Sequence, residues 1–327
     1  MAVIGTSIAV VVALLIGGAL TRLGARWGVV DEADGHLKAH VGSPVPLGGL
    51  AVFAGAHLGL AVSGLFDPGL FVATSLLWVV GLIDDLRGLS PVVRLVSSVI
   101  AGLVLVMMSF QVNSLLEGMF WVMAVVVSVN AVNLFDGLDA LAGSVATVTF
   151  LAMSLFALVH GSGEPLAGMI LAGSVLGFLF WNRPPARLYL GDNGAYVVAL
   201  LFVWLAHQAS PDLGASVVAA SLLGVPLLDL GVTVLRRYRS GAEIFAGDRD
   251  HTYDVLHQRG HSVARVTAVF VSLQVIWVAV VVLASDRFGD RVALSIVLLF
   301  GTLSVLWAGR WVTRDRELGV IGEESSE

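Results

Sequence analysis

Cysteine is absent from the 327 residues. That excludes disulfides, thiolate zinc sites, iron–sulfur clusters and a cysteine nucleophile. Charge is scarce: Asp, Glu, Lys and Arg make up 13% of the chain, against roughly 25% in soluble domains. A basic excess is missing too. The formal net charge is −6, which removes the electrostatic footprint of a nucleic-acid binder. No basic residue precedes the first apolar run, "MAVIGTSIAVVVALLIGGAL", and Arg22 and Arg26 follow it. A cleaved secretory leader has the reverse order, so a retained first span is expected. The sequence has no internal repeat and no low-complexity stretch beyond the short acidic "GEESSE".

What is present in abundance is hydrocarbon. Hydrophobic residues make up 57% of the chain, and its mean hydropathy is +0.91. This describes an all-α, polytopic integral membrane protein, because only helices and closed barrels satisfy their backbone in lipid. The two-residue alternation of barrel strands is missing. A spanning helix needs about 20 mostly apolar residues. Candidates lie near 2–20, 47–66, 69–83, 91–109, 118–134, 138–159, 166–182, 194–208, 213–235, 263–284 and 291–309, which makes about eleven spans. Ten is the alternative, since two pairs of neighbours nearly touch.

Placing the loops alternately puts every one of the 18 Lys and Arg except Arg287 and Arg291 on one side. By the positive-inside rule that side is cytoplasmic and the N-terminus lies outside. The expected organisation is a single transmembrane domain over 1–327, with cytoplasmic loops 21–46, 84–90, 183–193 and 236–262 and an acidic tail at 317–327. The loops are too small for an independent core. The opposite loops, "GLFDPG" among them, carry little chemistry.

The polar motifs all fall on the cytoplasmic side. In "NAVNLFDGLDALAG", Asn130, Asn133, Asp136 and Asp139 recur every three residues, with Gly137 as the expected break between two helices. Caps explain the acids but not two amides inside an apolar run, so a functional cluster is the better reading. In "GLIDDLRGLSPVVRL", Asp84 and Asp85 are adjacent carboxylates, which repel unless a cation or proton offsets them. A solvated loop explains that stretch equally well. In "FWNRPPARLYLGDNGAY", Asn182 precedes a proline pair, and Asp192 sits in a tight turn as either a cap or a metal ligand. Tyr189 offers a ring to stack on a base. Arg249 and His251, in a crowded loop, suit a phosphate or sugar. Lys38 and His40 add positive charge in the first loop. Asp229 is an acid within an apolar helix, either functional or paired with a neighbouring arginine or polar helix.

Together these motifs resemble the polyprenyl-phosphate N-acetylhexosamine-1-phosphate transferases, in family order and over nearly the whole chain. "NAVNLFDGLDALAG" is similar to the family's N-A-x-N-x-x-D-G-x-D-G-L-A, "GLIDDLRGLSP" to its double-Asp motif, "WNRPPARLYLGDNG" to F-N-x-x-P-A-x-x-F-M-G-D-x-G-S, and "GVPLLDLGVTVLRR" to P-x-x-D before paired arginines. The resemblance implies transfer of a HexNAc-1-phosphate, GlcNAc-1-phosphate first among them, from a UDP-sugar to polyprenyl phosphate in the plasma membrane. It implies Mg²⁺, with Mn²⁺ as substitute, held by Asp192. Asp84 and Asp85 would be essential, with Asp84 the preferred base, and Asn133, Asp136 and Asp139 would line the cleft. Asn182 and Tyr189 would hold the uridine, and Lys38 and His251 would reach the substrates. It also implies a homodimer. Two departures matter: Ala140 stands for the family's second glycine, and His251 is followed by Thr252, Tyr253 and Asp254 instead of further histidines. The histidine change leaves the sugar open. A non-catalytic relative and an ion-coupled transporter are the competing readings.

Overall fold

The computed structural model describes residues 2–27, 44–160, 164–209, 213–243 and 250–317. Among them are thirteen helices: α1 (Ala2–Trp27), α2 (Gly48–Val62), α3 (Pro68–Arg87), α4 (Pro91–Met108), α5 (Leu115–Phe135), α6 (Leu141–Val159), α7 (Pro165–Asn182), α8 (Gly191–Gln208), α9 (Leu213–Ser221), α10 (Gly224–Ser240), α11 (Thr252–Gln258), α12 (Val263–Phe288) and α13 (Asp290–Glu317). The starts follow from local chemistry. Asp67, Ser90, Ser114 and Ser262 each accept the N–H of the residue three positions on, and Pro68 and Pro91 stand where a missing N–H costs nothing. The only β pairing among the described residues is a bridge between Val45 and Leu188.

Each of the eleven expected spans has a helix, but not every helix is a full span. Eight are long and apolar enough to cross a membrane, or nine if one bent pair counts as a single crossing. Helix α2 has only 15 residues. The segment expected at 213–235 is two helices, α9 and α10, meeting at 72°. The loop expected over 236–262 contains the end of α10 and the whole of α11.

Helix α8 is the centre of the bundle. Its residues are buried without interruption from Asn193 to Ala206, as expected of a helix apolar on all sides. Gly49 on α2 and Gly81 on α3 let those helices lie directly on its first turn: a Cβ at either would come within 2.6 Å of the Asn193 or Gly194 backbone. Its far end is pinned by Asp67. That carboxylate caps α3, accepts from Ser109 Oγ at 2.6 Å and from Trp204 Nε1 at 2.9 Å, and so joins α3, α4 and α8. The loop "GLFDPG", which reads as plain, therefore carries an anchor.

Candidate active site

The end of α3, the end of α5, the turn into α6, the end of α7 and the start of α8 meet at one end of the bundle. The acids at 84, 85, 136, 139 and 192 come from these termini.

Asp85 reaches across to α8. Its Oδ1 accepts the Asp192 N–H at 2.9 Å, and its Oδ2 accepts the Asn193 N–H at 3.1 Å and Asn193 Nδ2 at 2.6 Å. The first N–H groups of a helix have no partner within it, and their dipoles favour an anion there. Asp85 therefore caps α8 from another helix, and this orients the turn that carries Asp192. Asn193 is fully buried and also donates to the Pro46 carbonyl at 2.8 Å, tying in the chain before α2.

Asp84 does something different. It is buried, and its Oδ1 accepts the Leu89 N–H at 2.7 Å. Its Oδ2 accepts the Tyr196 hydroxyl at 2.8 Å and lies 3.0 Å from Arg94 Nε. Every oxygen is committed, and one faces a guanidinium. The carboxylate thus anchors α3, α4 and α8 to one another.

From α5, Asn133 Nδ2 donates to Asp192 Oδ1, which joins the second motif to the third. Asn130 instead donates to the Val126 carbonyl within its own helix. Asp136 follows the last residue of α5, and among the described residues nothing donates a hydrogen bond to its carboxylate. Burial pushes the Asp136 carboxyl well above the usual carboxylate range, and the neighbouring charges of Asp192, Asp85 and Asp139 push it further. Asp139 Oδ2 accepts the Ala186 N–H at 2.9 Å and so holds the chain between α7 and α8. Gly137 lies in the break between α5 and α6, as expected, and the left-handed residue of this turn is Ala140, with φ 62°.

The expected uridine ligands fare unequally. Asn182 is buried, accepts the Ala140 N–H at 2.9 Å and donates to the Leu188 carbonyl at 2.9 Å. Its amide thus ties the turn before α6 to the chain between α7 and α8. Tyr189 is half-buried, and its backbone pairs with Val45 and Gly48.

His251 belongs to a second cluster. Its Nδ1 lies 2.7 Å from Asp229 Oδ2, and Asp229 Oδ1 accepts both the Thr252 N–H at 3.0 Å and its hydroxyl at 2.6 Å. Asp229 thus pairs with a histidine and with Thr252. Tyr253 stacks on His251 and donates to the Leu134 carbonyl at 2.7 Å, which brings this cluster against the end of α5. Lys38, His40 and Arg249 lie outside the described residues.

Sequence reasoning missed Asn193, Tyr196 and Tyr253. Asn193 was visible only as a turn residue, and Tyr196 lies one helical turn beyond Asp192, a spacing that puts both on one face. As for metal chemistry, no three His, Asp or Glu side chains among the described residues already surround one point. The donors gathered at Asp136 and Asp192 are nonetheless hard carboxylate oxygens, the type that Mg²⁺ and Mn²⁺ take. The repulsion stored on Asp136 is what a cation relieves.

The sequence model described as glycosyl transferase family 4 matches residues 68–210, the stretch from the start of α3 past the end of α8 that contains all five acids. The chain is 28% identical over 285 residues to a probable undecaprenyl-phosphate N-acetylglucosaminyl 1-phosphate transferase of Bacillus subtilis, covering 80% of this chain and 78% of that protein. It is 28% identical over 335 residues to a decaprenyl-phosphate N-acetylglucosaminephosphotransferase of Mycobacterium tuberculosis, covering 86% and 80%. It is 26% identical over 269 residues to an undecaprenyl-phosphate alpha-N-acetylglucosaminyl 1-phosphate transferase of Salmonella typhi, covering 73% and 72%. With its motifs in order and its acids at one end of an all-helical membrane bundle, the chain is similar, over most of its length, to the polyprenyl-phosphate N-acetylglucosamine-1-phosphate transferases.

Proposed function

We propose that this protein moves GlcNAc-1-phosphate from UDP-GlcNAc to a polyprenyl phosphate. An oxygen of the lipid phosphate attacks the β-phosphorus of the nucleotide sugar, the bond between that phosphorus and the bridging oxygen breaks, and UMP leaves with that oxygen. The product is a polyprenyl diphosphate bearing GlcNAc. The observation that carries the reading is the meeting of Asp85, Asn133, Asp136 and Asp192, from separate motifs, at the ends of membrane helices. An ion path would instead place acids along the helices, at mid-membrane depth. The relatives' names support the choice of sugar, and a membrane site explains how a lipid acceptor reaches it.

Asp192 would hold the divalent cation, beside Asp136. Magnesium is commonly bound by one or two carboxylates plus substrate phosphates, without a full protein cage. A cation there neutralises phosphate oxygens, which is the main task in phosphoryl transfer. In this reading Asp136 takes over the base role expected of Asp84, because its carboxylate is held by no donor among the described residues. Asp85 fixes the start of α8, Asn133 orients Asp192, and Tyr189, Lys38, Arg249 and His251 contact the donor. The one-sided Lys and Arg support a site at the cytoplasmic face and an N-terminus outside. The product would open assembly of an envelope glycan, and the enzyme would act as a homodimer.

The test is purified protein incubated with polyprenyl phosphate and a panel of radiolabelled UDP-sugars. Lipid-soluble label with UDP-GlcNAc and release of UMP are expected, and both stop with excess EDTA. Label from another sugar alone would replace the sugar, and no label from any would reject the reading.

A further inference from the structure

Helices α9 and α10 are one apolar segment interrupted between Ser221 and Gly224. A break of this kind strips backbone N–H and C=O groups of their helical partners, and hydrocarbon offers no water in exchange. Here the replacements come from one face of α12. Gln274, fully buried, accepts the Val225 N–H on its Oε1 at 3.0 Å. Its Nε2 donates to the Leu222 carbonyl at 2.7 Å and to Thr149 Oγ1, on α6, at 2.9 Å. One turn along, Trp277 Nε1 donates to the Ser221 carbonyl at 2.9 Å. The same indole fills the inside of the elbow: Gly224 has φ +20°, and a Cβ there would lie 2.3 Å from the ring. Both side chains thus answer the particular groups that the break exposes.

Beyond the elbow, α10 carries Asp229, which holds His251 and Thr252. Tyr253 then donates to the carbonyl of Leu134, just before Asp136. The angle at Gly224 therefore sets where the His251–Tyr253 segment stands against the acid cluster.

We infer that Gln274 and Trp277 are positioning residues, which hold the elbow at its angle and so present the His251 segment to the site; as far as turnover is concerned this rests on the transferase reading. The geometric part can be tested without activity. Because the chain has no cysteine, a pair introduced at Val92 on α4 and Tyr238 on α10, both exposed, can be spin-labelled alone. In Gln274→Leu the distance between the labels shifts and broadens. In Thr149→Val, which spares the elbow's own bonds, it stays as in the unsubstituted protein. In Gln274→Leu the KM for UDP-GlcNAc rises about tenfold while kcat changes less, because a displaced segment weakens donor binding without removing an acid. Gln274→Glu, which in its neutral form keeps an acceptor for Val225 and a donor for Leu222, recovers most of that loss. Should Gln274→Leu fail to assemble, Trp277→Phe removes only the bond to Ser221 and shows a smaller shift. An unchanged distance in every variant that assembles overturns the inference whatever the turnover. A shifted distance with unchanged KM overturns the positioning role. If the unsubstituted protein transfers nothing, the transferase reading falls, and the distances alone decide the elbow.

Discussion

Asp85 and Asp192 lie 107 residues apart, yet the Asp85 carboxylate accepts the Asp192 N–H at 2.9 Å. One acid of the cluster thus caps the helix that carries another. Removing the cap should disturb catalysis through geometry. Asp85→Ala is expected to cost about 1 kcal/mol of stability, as lost helix caps do. It should lower transfer about 100-fold, the cost of a displacement near 1 Å at the reacting groups. Initial rates and a thermal melt in detergent measure both, and a rate within twofold of the unsubstituted protein would contradict the positioning.

Asp84 is an anchor in this account, and a double-mutant cycle tells an anchor from a base. Breaking its pair with Arg94 leaves a buried charge alone, although Arg94 is 39% exposed and solvent softens the loss. Asp84→Asn and Arg94→Met are each expected to lower stability by roughly 1–3 kcal/mol. Because they share one interaction, the double variant should lose clearly less than the sum. Additive losses, or a dead Asp84→Asn with its full melting temperature, would restore Asp84 as base.

Asp229 is expected to be needed for the His251 segment. Asp229→Ala leaves a buried histidine and two Thr252 donors without their acceptor, which should cost about 3 kcal/mol. Asp229→Asn, which keeps one carbonyl oxygen, should lose about half of that. Equal stability of Asp229→Ala and the unsubstituted protein would contradict the assignment.

Ala140 adopts φ 62° where an L side chain is strained. Ala140→Gly should raise stability by about 1 kcal/mol, the cost of a left-handed alanine. Its backbone N–H bond to Asn182 stays in place. A lower melting temperature would show that the methyl group's packing outweighs its strain.

The sequence displayed the bundle and the acids well, for a plain reason. Hydrocarbon runs of spanning length and acids at their ends leave a strong one-dimensional signal. What it hid depends on direction in space. Asp84 and Asp85 read as twins, yet adjacent residues on a helix point about 100° apart, so one meets Arg94 and Tyr196 and the other meets α8. Asn182 looked like a ligand because amides are rare in such segments, whereas its partners are backbone groups of Ala140 and Leu188. The elbow at Gly224 was hidden because the groups that satisfy it come from α12, some fifty positions away.

The central claim is transfer of a sugar together with its phosphate. UDP-GlcNAc labelled with ³²P only at the β-phosphorus tests it most directly. The account predicts that the label enters the lipid fraction while the released nucleotide is unlabelled UMP, and that Asp192→Ala abolishes both. Label recovered in UDP, with unlabelled phosphate on the lipid, would contradict it.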